Sequence, residues 1–128
     1  MDHCAPPGAE IDYDGGLRAL VVTVRGDRTV EMARSLMAAM QERMRAHGTN
    51  RLLFDGREAA YQLDLQESID AFLDISRAAE GWQIALLFAL DQRETGVIMQ
   101  TTGTTRWNLV RLFHDVQAAR DWLAGTSD

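Results

Sequence analysis

The chain has 128 residues, and 13 basic residues against 19 acidic ones give it a net charge of -6. This length fits one domain, which buries roughly 68% of the surface that its unfolded chain exposes. The acidic balance argues against the broad positive field that attracts proteins to nucleic acid or anionic membranes. All the basic residues are arginine, which excludes mechanisms that need a lysine, such as Schiff-base formation and P-loop phosphate binding.

No part of the sequence approaches the ~18 apolar residues of a membrane span, and the first residues lack the layout of a signal peptide. We therefore expect a cytoplasmic protein. The single cysteine, Cys4, has no partner for an internal disulfide and lies in a Pro/Gly-containing segment. We expect a flexible tail over residues 1–8 and one domain over residues 9–125.

The first half of the chain predicts a β-hairpin followed by a helix. Two extended runs, 10–13 and 17–24, flank Asp14-Gly15-Gly16, whose glycines suit a turn, and Gly26 is expected to end the second strand. Thr29 is placed to cap a helix that stops at Gly48, a residue that favours the left-handed conformation there.

Further strands and helices alternate in the second half. Residues 52–54 predict a strand that ends at Asp55-Gly56, with a loop through Gln62. Asp64 and Glu67 then open a predicted helix, whose buried stripe is Leu65, Ile69, Phe72, Leu73, Ser76 and Ala79. A strand follows over 82–89, and a helix is predicted from near Gln92 to Thr101, with Asp91 and Glu94 at capping positions. The last predicted elements are a strand over 109–113 and a helix that Asp115 caps and Gly125 ends.

This order of elements predicts an α/β fold. Short links and apolar strands favour a single, mostly parallel five-stranded sheet with an N-terminal β-hairpin and about four covering helices. No internal repeat, long linker or second domain interrupts the pattern.

The order of elements and several segments resemble the small STAS/SEC14-like family, bacterial domains similar to the sporulation anti-sigma-factor antagonist. The segments are 26–31 at the first helix, 51–55 as a strand ending in an acid, 84–87 as an apolar strand, and 110–113 leading to 118–123. The resemblance covers most of the chain and implies a small cytosolic domain that binds a protein partner or, as in SEC14-like members, an apolar ligand.

The sequence departs from that family at its phosphorylation switch. In antagonists with such a switch, the strand that ends in aspartate is followed by a serine-rich turn, and a serine there receives phosphate. Here Asp55 matches the acid, but residues 56–61 contain no hydroxyl group except that of Tyr61. We predict no phosphorylation site, because Ser68 comes too late to replace the missing serine.

The candidate binding site is polar. Asp55, Arg57, Asp91 and Arg93 follow the third and fourth strands, where open α/β sheets usually place their ligands, and Tyr61 belongs to the same predicted loop. The structural alternative is that Asp91 caps a helix, Asp55 ends a strand and the arginines are solvated. Tyr61 fits either a partner contact or a cover over the edge of the core.

The methionines of the first helix allow two interpretations. Met32, Met37, Met40 and Met44 give an adaptable surface of the kind used for varied partners or lipid chains. A helix that covers a sheet must also bury an apolar stripe, and core packing explains the same residues.

The sequence contains no constellation that commits to a reaction. His3, His47 and His114 lack metal-site spacing, and the serines lack a nucleophile elbow. We predict no cofactor and no metal, and a non-enzymatic regulatory or interaction domain, with a small apolar or acyl ligand carrier as the alternative. A third hypothesis, Asp55 or Asp91 as a general base, requires a raised pKa. Self-association through the hairpin edge near 10–13 stays open.

Overall fold

The computed structural model describes residues 8–61, 66, 70, 73–74, 77–103 and 109–125. Its strands are β1 (Ala9–Asp14), β2 (Ala19–Arg28), β3 (Arg51–Tyr61), β4 (Gln83–Leu87) and β5 (Leu109–Phe113). Its helices are α1 (Val30–His47), α2 (Arg93–Gly103) and α3 (Val116–Ala124), and a 3-10 turn, Leu90–Gln92, precedes α2.

The five strands form one sheet in the order β1-β2-β3-β4-β5. β1 and β2 pair antiparallel, and the other neighbours pair parallel. This confirms the predicted mostly parallel sheet with an N-terminal hairpin. Because β1 runs against the others, its beginning lies at the same edge of the sheet as the carboxyl ends of β2 to β5.

The helix boundaries follow from the capping residues that the sequence predicts. The Thr29 side chain accepts a hydrogen bond from the Met32 backbone N–H, and Asp115 accepts one from Ala118. Gly48 (φ 64°) ends α1 in the left-handed conformation, which costs glycine little. α2 confirms the predicted third helix, although glycine and threonine lower its intrinsic propensity.

Of the predicted helix between β3 and β4, only isolated positions are described. The backbone at 66, 70, 73, 74, 77 and 78 is helical, and the rest of the predicted stripe lies outside the described residues apart from Leu73 and Ala79. Ala79 is buried as expected, but Leu73 is 38% exposed. Its assignment to the buried stripe is therefore wrong, because its side chain lies on the solvent side of this segment.

The sheet buries both of its faces. The inner face of α1 packs on one face of the sheet, together with the apolar side of α2, in a core that includes Leu20, Val22, Leu36, Met40, Met44, Leu52, Leu86 and Phe88. α3 packs on the other face, in a smaller core of Leu17, Ala19, Leu53, Ala85, Leu87, Ala119 and Leu123. Adjacent residues of one strand, such as Leu52 and Leu53, join different cores because side chains alternate across a strand.

β2 and β3 are longer than the sequence indicates. Gly26 was expected to end β2, but the strand continues to Arg28, and the predicted loop after Gly56 is strand through Tyr61. The two extensions pair with each other, from Arg25 opposite Glu58 to Arg28 opposite Tyr61, after a register shift between Thr23 and Arg25. Long-range pairing outweighs the local turn signal of the glycines.

Candidate functional site

Asp55 and Arg57 form a two-pronged ion pair at the carboxyl edge of the sheet. Asp55 is the last residue of β3 that pairs with β4. Arg57 donates from Nε to Asp55 Oδ1 at 3.0 Å and from Nη2 to Oδ2 at 2.8 Å, and its backbone N–H also donates to Oδ1 at 3.1 Å. This fork geometry makes a strong charge-assisted pair.

The ion pair sets the protonation of Asp55. Burial of the carboxyl, which is 17% exposed, raises its pKa, but the hydrogen bonds and positive charge of Arg57 outweigh burial, and the pKa lies below the usual 3.8. The hydrogen bonds to Asp55 also raise the pKa of Arg57. Asp55 is thus a carboxylate at neutral pH, the opposite of the raised pKa that a general base needs here.

Further charges continue from this pair across the sheet. Arg25 Nε donates to Glu58 at 3.2 Å, and Arg25 also pairs with Glu10 of β1 at 3.4 Å. The positive charge of Arg25 contributes to the low pKa of Asp55. We call Glu10, Arg25, Glu58, Asp55 and Arg57 the charged row, which joins β1, β2 and β3 on the face that α3 covers.

The other predicted site residues are placed differently. Asp91 lies inside the 3-10 turn and Arg93 begins α2, and both side chains are exposed. Within the described part of the chain, neither makes a hydrogen bond or ion pair with Asp55 or Arg57. Tyr61 ends β3 opposite Arg28, and its side chain lies outside what the structure describes.

The suggested role of Asp91 as a helix cap is wrong. The residue that precedes the 3-10 turn is Ala89, and the Ala89 backbone N–H donates to the side chain of Gln92 at 2.7 Å. The glutamine, not the aspartate, satisfies the start of this turn, because its longer side chain folds back over it.

Gln92 also attaches the 3-10 turn to β3. Its Nε2 donates to the Gly56 carbonyl at 2.8 Å and to the Ala59 carbonyl at 2.7 Å. Gly56 lies between Asp55 and Arg57, so these bonds hold the turn against the part of β3 that carries the ion pair. Gln92 is absent from the predicted site residues, because a contact over 36 residues leaves no local pattern in the sequence.

The turn held by Gln92 presents an apolar side chain to solvent. Leu90 is 74% exposed, more than the other exposed large apolar residues of the described chain. Its neighbours Asp91 and Arg93 are exposed and charged. We call Leu90, Asp91, Arg93 and the Asp55–Arg57 pair the carboxyl-edge surface. In the sequence, Leu90 stands out only as an apolar residue directly after the strand predicted over 82–89.

On the α1 face, the carboxyl edge of the sheet is closed by the Phe88 ring. The Phe88 ring is 0% exposed and is approached by Gly56 and Gly96. A Cβ atom added at Gly56 would lie 2.1 Å from the ring, and one at Gly96 would lie 2.9 Å from it. The Phe88 backbone carbonyl also lies 2.8 Å from His114 Nδ1. Here the strand ends are packed with protein atoms.

The methionines of α1 belong mainly to the core. Met37, Met40 and Met44 are buried against the sheet, and Met32 is partly buried. Core packing therefore accounts for the three buried side chains, as the structural interpretation of the stripe predicts.

The described residues contain neither a metal-ligating cluster nor a membrane-spanning helix. No group of three or more histidine, cysteine, aspartate and glutamate side chains in the described ranges is arranged to hold a metal ion. In the same ranges, no helix has both the length and the apolar character needed to cross a membrane.

Comparison with known proteins identifies the fold. No family model and no curated protein matches the chain. Among solved structures, it is similar to an uncharacterised protein of the DUF3478 family with a SpoIIAA-like fold from Shewanella loihica PV-4. The two share 18% sequence identity over 90% of this chain and 91% of that one, with a TM-score of 0.59. The chain therefore has a SpoIIAA-like, STAS-type α/β fold, as its sequence resemblance to the STAS/SEC14-like family predicts.

Proposed function

We propose that this protein is a non-enzymatic interaction domain of STAS type that binds a protein partner through the carboxyl-edge surface. The observation that carries the proposal is Leu90, whose side chain is 74% exposed on a turn that Gln92 holds in place. An exposed leucine on a fixed support offers apolar area to a partner without the entropy cost of ordering a loop.

The surroundings of Leu90 match the composition of a protein interface. Asp91 and Arg93 frame the leucine with exposed charges, and Gln92 of the same turn bonds to the carbonyl of Gly56, the residue between Asp55 and Arg57. Apolar anchors ringed by polar groups are typical of binding hot spots. The low pKa of Asp55 supports a role in recognition rather than in proton transfer.

The test uses the full chain as bait in native affinity purification from cells that produce it, with quantitative mass spectrometry. Leu90→Asp is compared with Leu109→Asp, because Leu109 is another exposed leucine, 52% accessible, at the opposite end of β5. We expect a protein retained by the wild type and Leu109→Asp to be lost with Leu90→Asp. Equal retention by both variants, or no retained protein, would overturn the proposal.

Binding of a small apolar ligand stays a prediction from the sequence, and so do self-association and the cytoplasmic location. The buried methionines of α1 do not favour the ligand-carrier alternative, since they contact the sheet. Native mass spectrometry of the freshly purified protein tests it, because a bound ligand adds its mass to that of the chain.

A further inference from the structure

β1 is an edge strand, and among the described residues no other strand pairs with its outer side. The Gly8 carbonyl accepts a hydrogen bond from Arg25 N–H, so the backbone groups of Gly8 point toward β2. Antiparallel pairing alternates along a strand, and the backbone groups of Ala9, Ile11 and Tyr13 therefore point away from the sheet. The outer side of β1 thus presents N–H and C=O groups in the spacing that an added strand uses.

A side chain from α1 occupies one of these positions. Arg43 Nη2 donates to the Ile11 carbonyl at 3.3 Å, which confirms independently that this carbonyl points outward. The guanidinium lies where the N–H of an added strand would lie. Since the bond is long and reaches a neutral acceptor, an incoming strand can replace it with little loss.

The side chains of β1 decide which strand fits. Glu10, Asp12 and Asp14 alternate with residues of the α1-side core and therefore lie on the same face of the sheet as α3, where Asp14 pairs with Arg120. Glu10 forms an ion pair with Arg25, and Asp14 forms one with Arg120. Asp12 is exposed and has no ion-pair partner within the described chain. A second copy paired antiparallel about Ile11 would place Glu10 opposite its Asp12, and such like-charged pairs are unfavourable.

We propose that the outer edge of β1 accepts an extended basic segment of a partner protein as an added strand, with Arg43 covering the edge until the segment binds. Alternate lysine or arginine residues of that segment would face Asp12 and its acidic neighbours, and its backbone would bond to Ala9, Ile11 and Tyr13. The same edge rejects a second copy of this chain. The site is distinct from Leu90 and does not depend on the function proposed above.

The probe is a labelled peptide that alternates valine and lysine, and the matched peptide has glutamate in place of lysine. Each is titrated with the full chain at low ionic strength, with fluorescence anisotropy as the readout. We expect only the lysine peptide to bind, and we expect backbone amide resonances of Ala9, Ile11 and Tyr13 to shift. Equal binding of both peptides, or shifts confined to another part of the sheet, would overturn the proposal.

Arg43 and Asp12 are then tested by substitution. Arg43→Ala removes the covering bond, and we expect the lysine peptide to bind about five-fold more tightly. Arg45→Ala is the control, because it removes an exposed arginine from the same helix, and we expect unchanged affinity. Asp12→Asn weakens binding. Equal effects of the two arginine variants would show that Arg43 acts only through its charge and would contradict the covering role.

Sedimentation velocity tests rejection of a second copy. We expect the wild-type protein and Arg43→Ala to show no dimer joined through β1. A dimer that appears in Arg43→Ala and is strengthened by a further Asp12→Arg substitution, which turns the repulsion from Glu10 of the second copy into an attraction, would overturn the selectivity for a partner segment.

Discussion

The two faces of the sheet differ at the carboxyl edge. On the α1 face, the Phe88 ring fills the space between Gly56 and Gly96 and is closed to solvent. On the α3 face, the charged row is exposed to water over most of its length. One strand, β3, serves both faces, with Gly56 turned to the ring and its neighbours Asp55 and Arg57 turned to the charges. We therefore expect substitutions on the first face to cost the most stability, whereas the partner contact that we propose involves charges of the second.

The largest expected effect comes from Gly56→Ala. Its Cβ would lie 2.1 Å from the Phe88 ring, and relief of this overlap requires the ring or β3 to move. We expect a loss of about 3 kcal/mol of unfolding free energy, measured by urea denaturation. Gly15→Ala is the control, because the nearest atom to a Cβ there is 4.0 Å away. Equal stability of both variants would contradict the packed face.

Gln92→Ala tests the attachment of the 3-10 turn. The variant leaves the Gly56 and Ala59 carbonyls and the Ala89 N–H without their side-chain partner. We expect a loss of about 2 kcal/mol in the same denaturation experiment. Gln117→Ala, which removes an exposed bond to Asp121, is expected to have little effect. An unchanged unfolding free energy for Gln92→Ala would show that other contacts hold the turn.

Asp55→Asn tests the Asp55–Arg57 ion pair of the charged row through the pH dependence of the unfolding free energy. The pKa of Asp55 is lowered on folding, so the carboxylate stabilises the folded state above the pKa of unfolded aspartate. This contribution is lost as the pH falls through the lower folded pKa. We expect the variant to be about 1 kcal/mol less stable at neutral pH and to lose less stability on acidification. Asp12→Asn is the control, and a parallel pH profile for Asp55→Asn and wild type would contradict the pair.

Leu90→Ala has the smallest expected effect on folding. The side chain is 74% exposed, so the unfolding free energy should change by less than about 0.5 kcal/mol. A larger loss of unfolding free energy would show that Leu90 packs against the domain and is not available to a partner.

Local signals predict the ends of helices and the order of strands and helices along the chain, but not the contacts that build the site. Thr29, Gly48 and Asp115 act within a few residues, and each occupies its expected role. Gly26 and Gly56 were expected to end strands, yet β2 and β3 continue past them because the extensions pair across the fold. Asp55 and Arg57 are two residues apart, so their proximity follows from the sequence. The bonds from Gln92 to β3 and the approach of Gly56 to Phe88 depend on chain folding that no local pattern encodes.

Site-specific photocrosslinking in cells tests the central claim, that the carboxyl-edge surface binds a protein, most directly. A photoreactive amino acid replaces Leu90 in one full-length variant and Leu109 in another, since both side chains are exposed. We predict a discrete covalent adduct with another protein from position 90 and none from position 109. Absence of an adduct at position 90, or the same adducts from both positions, would contradict the account.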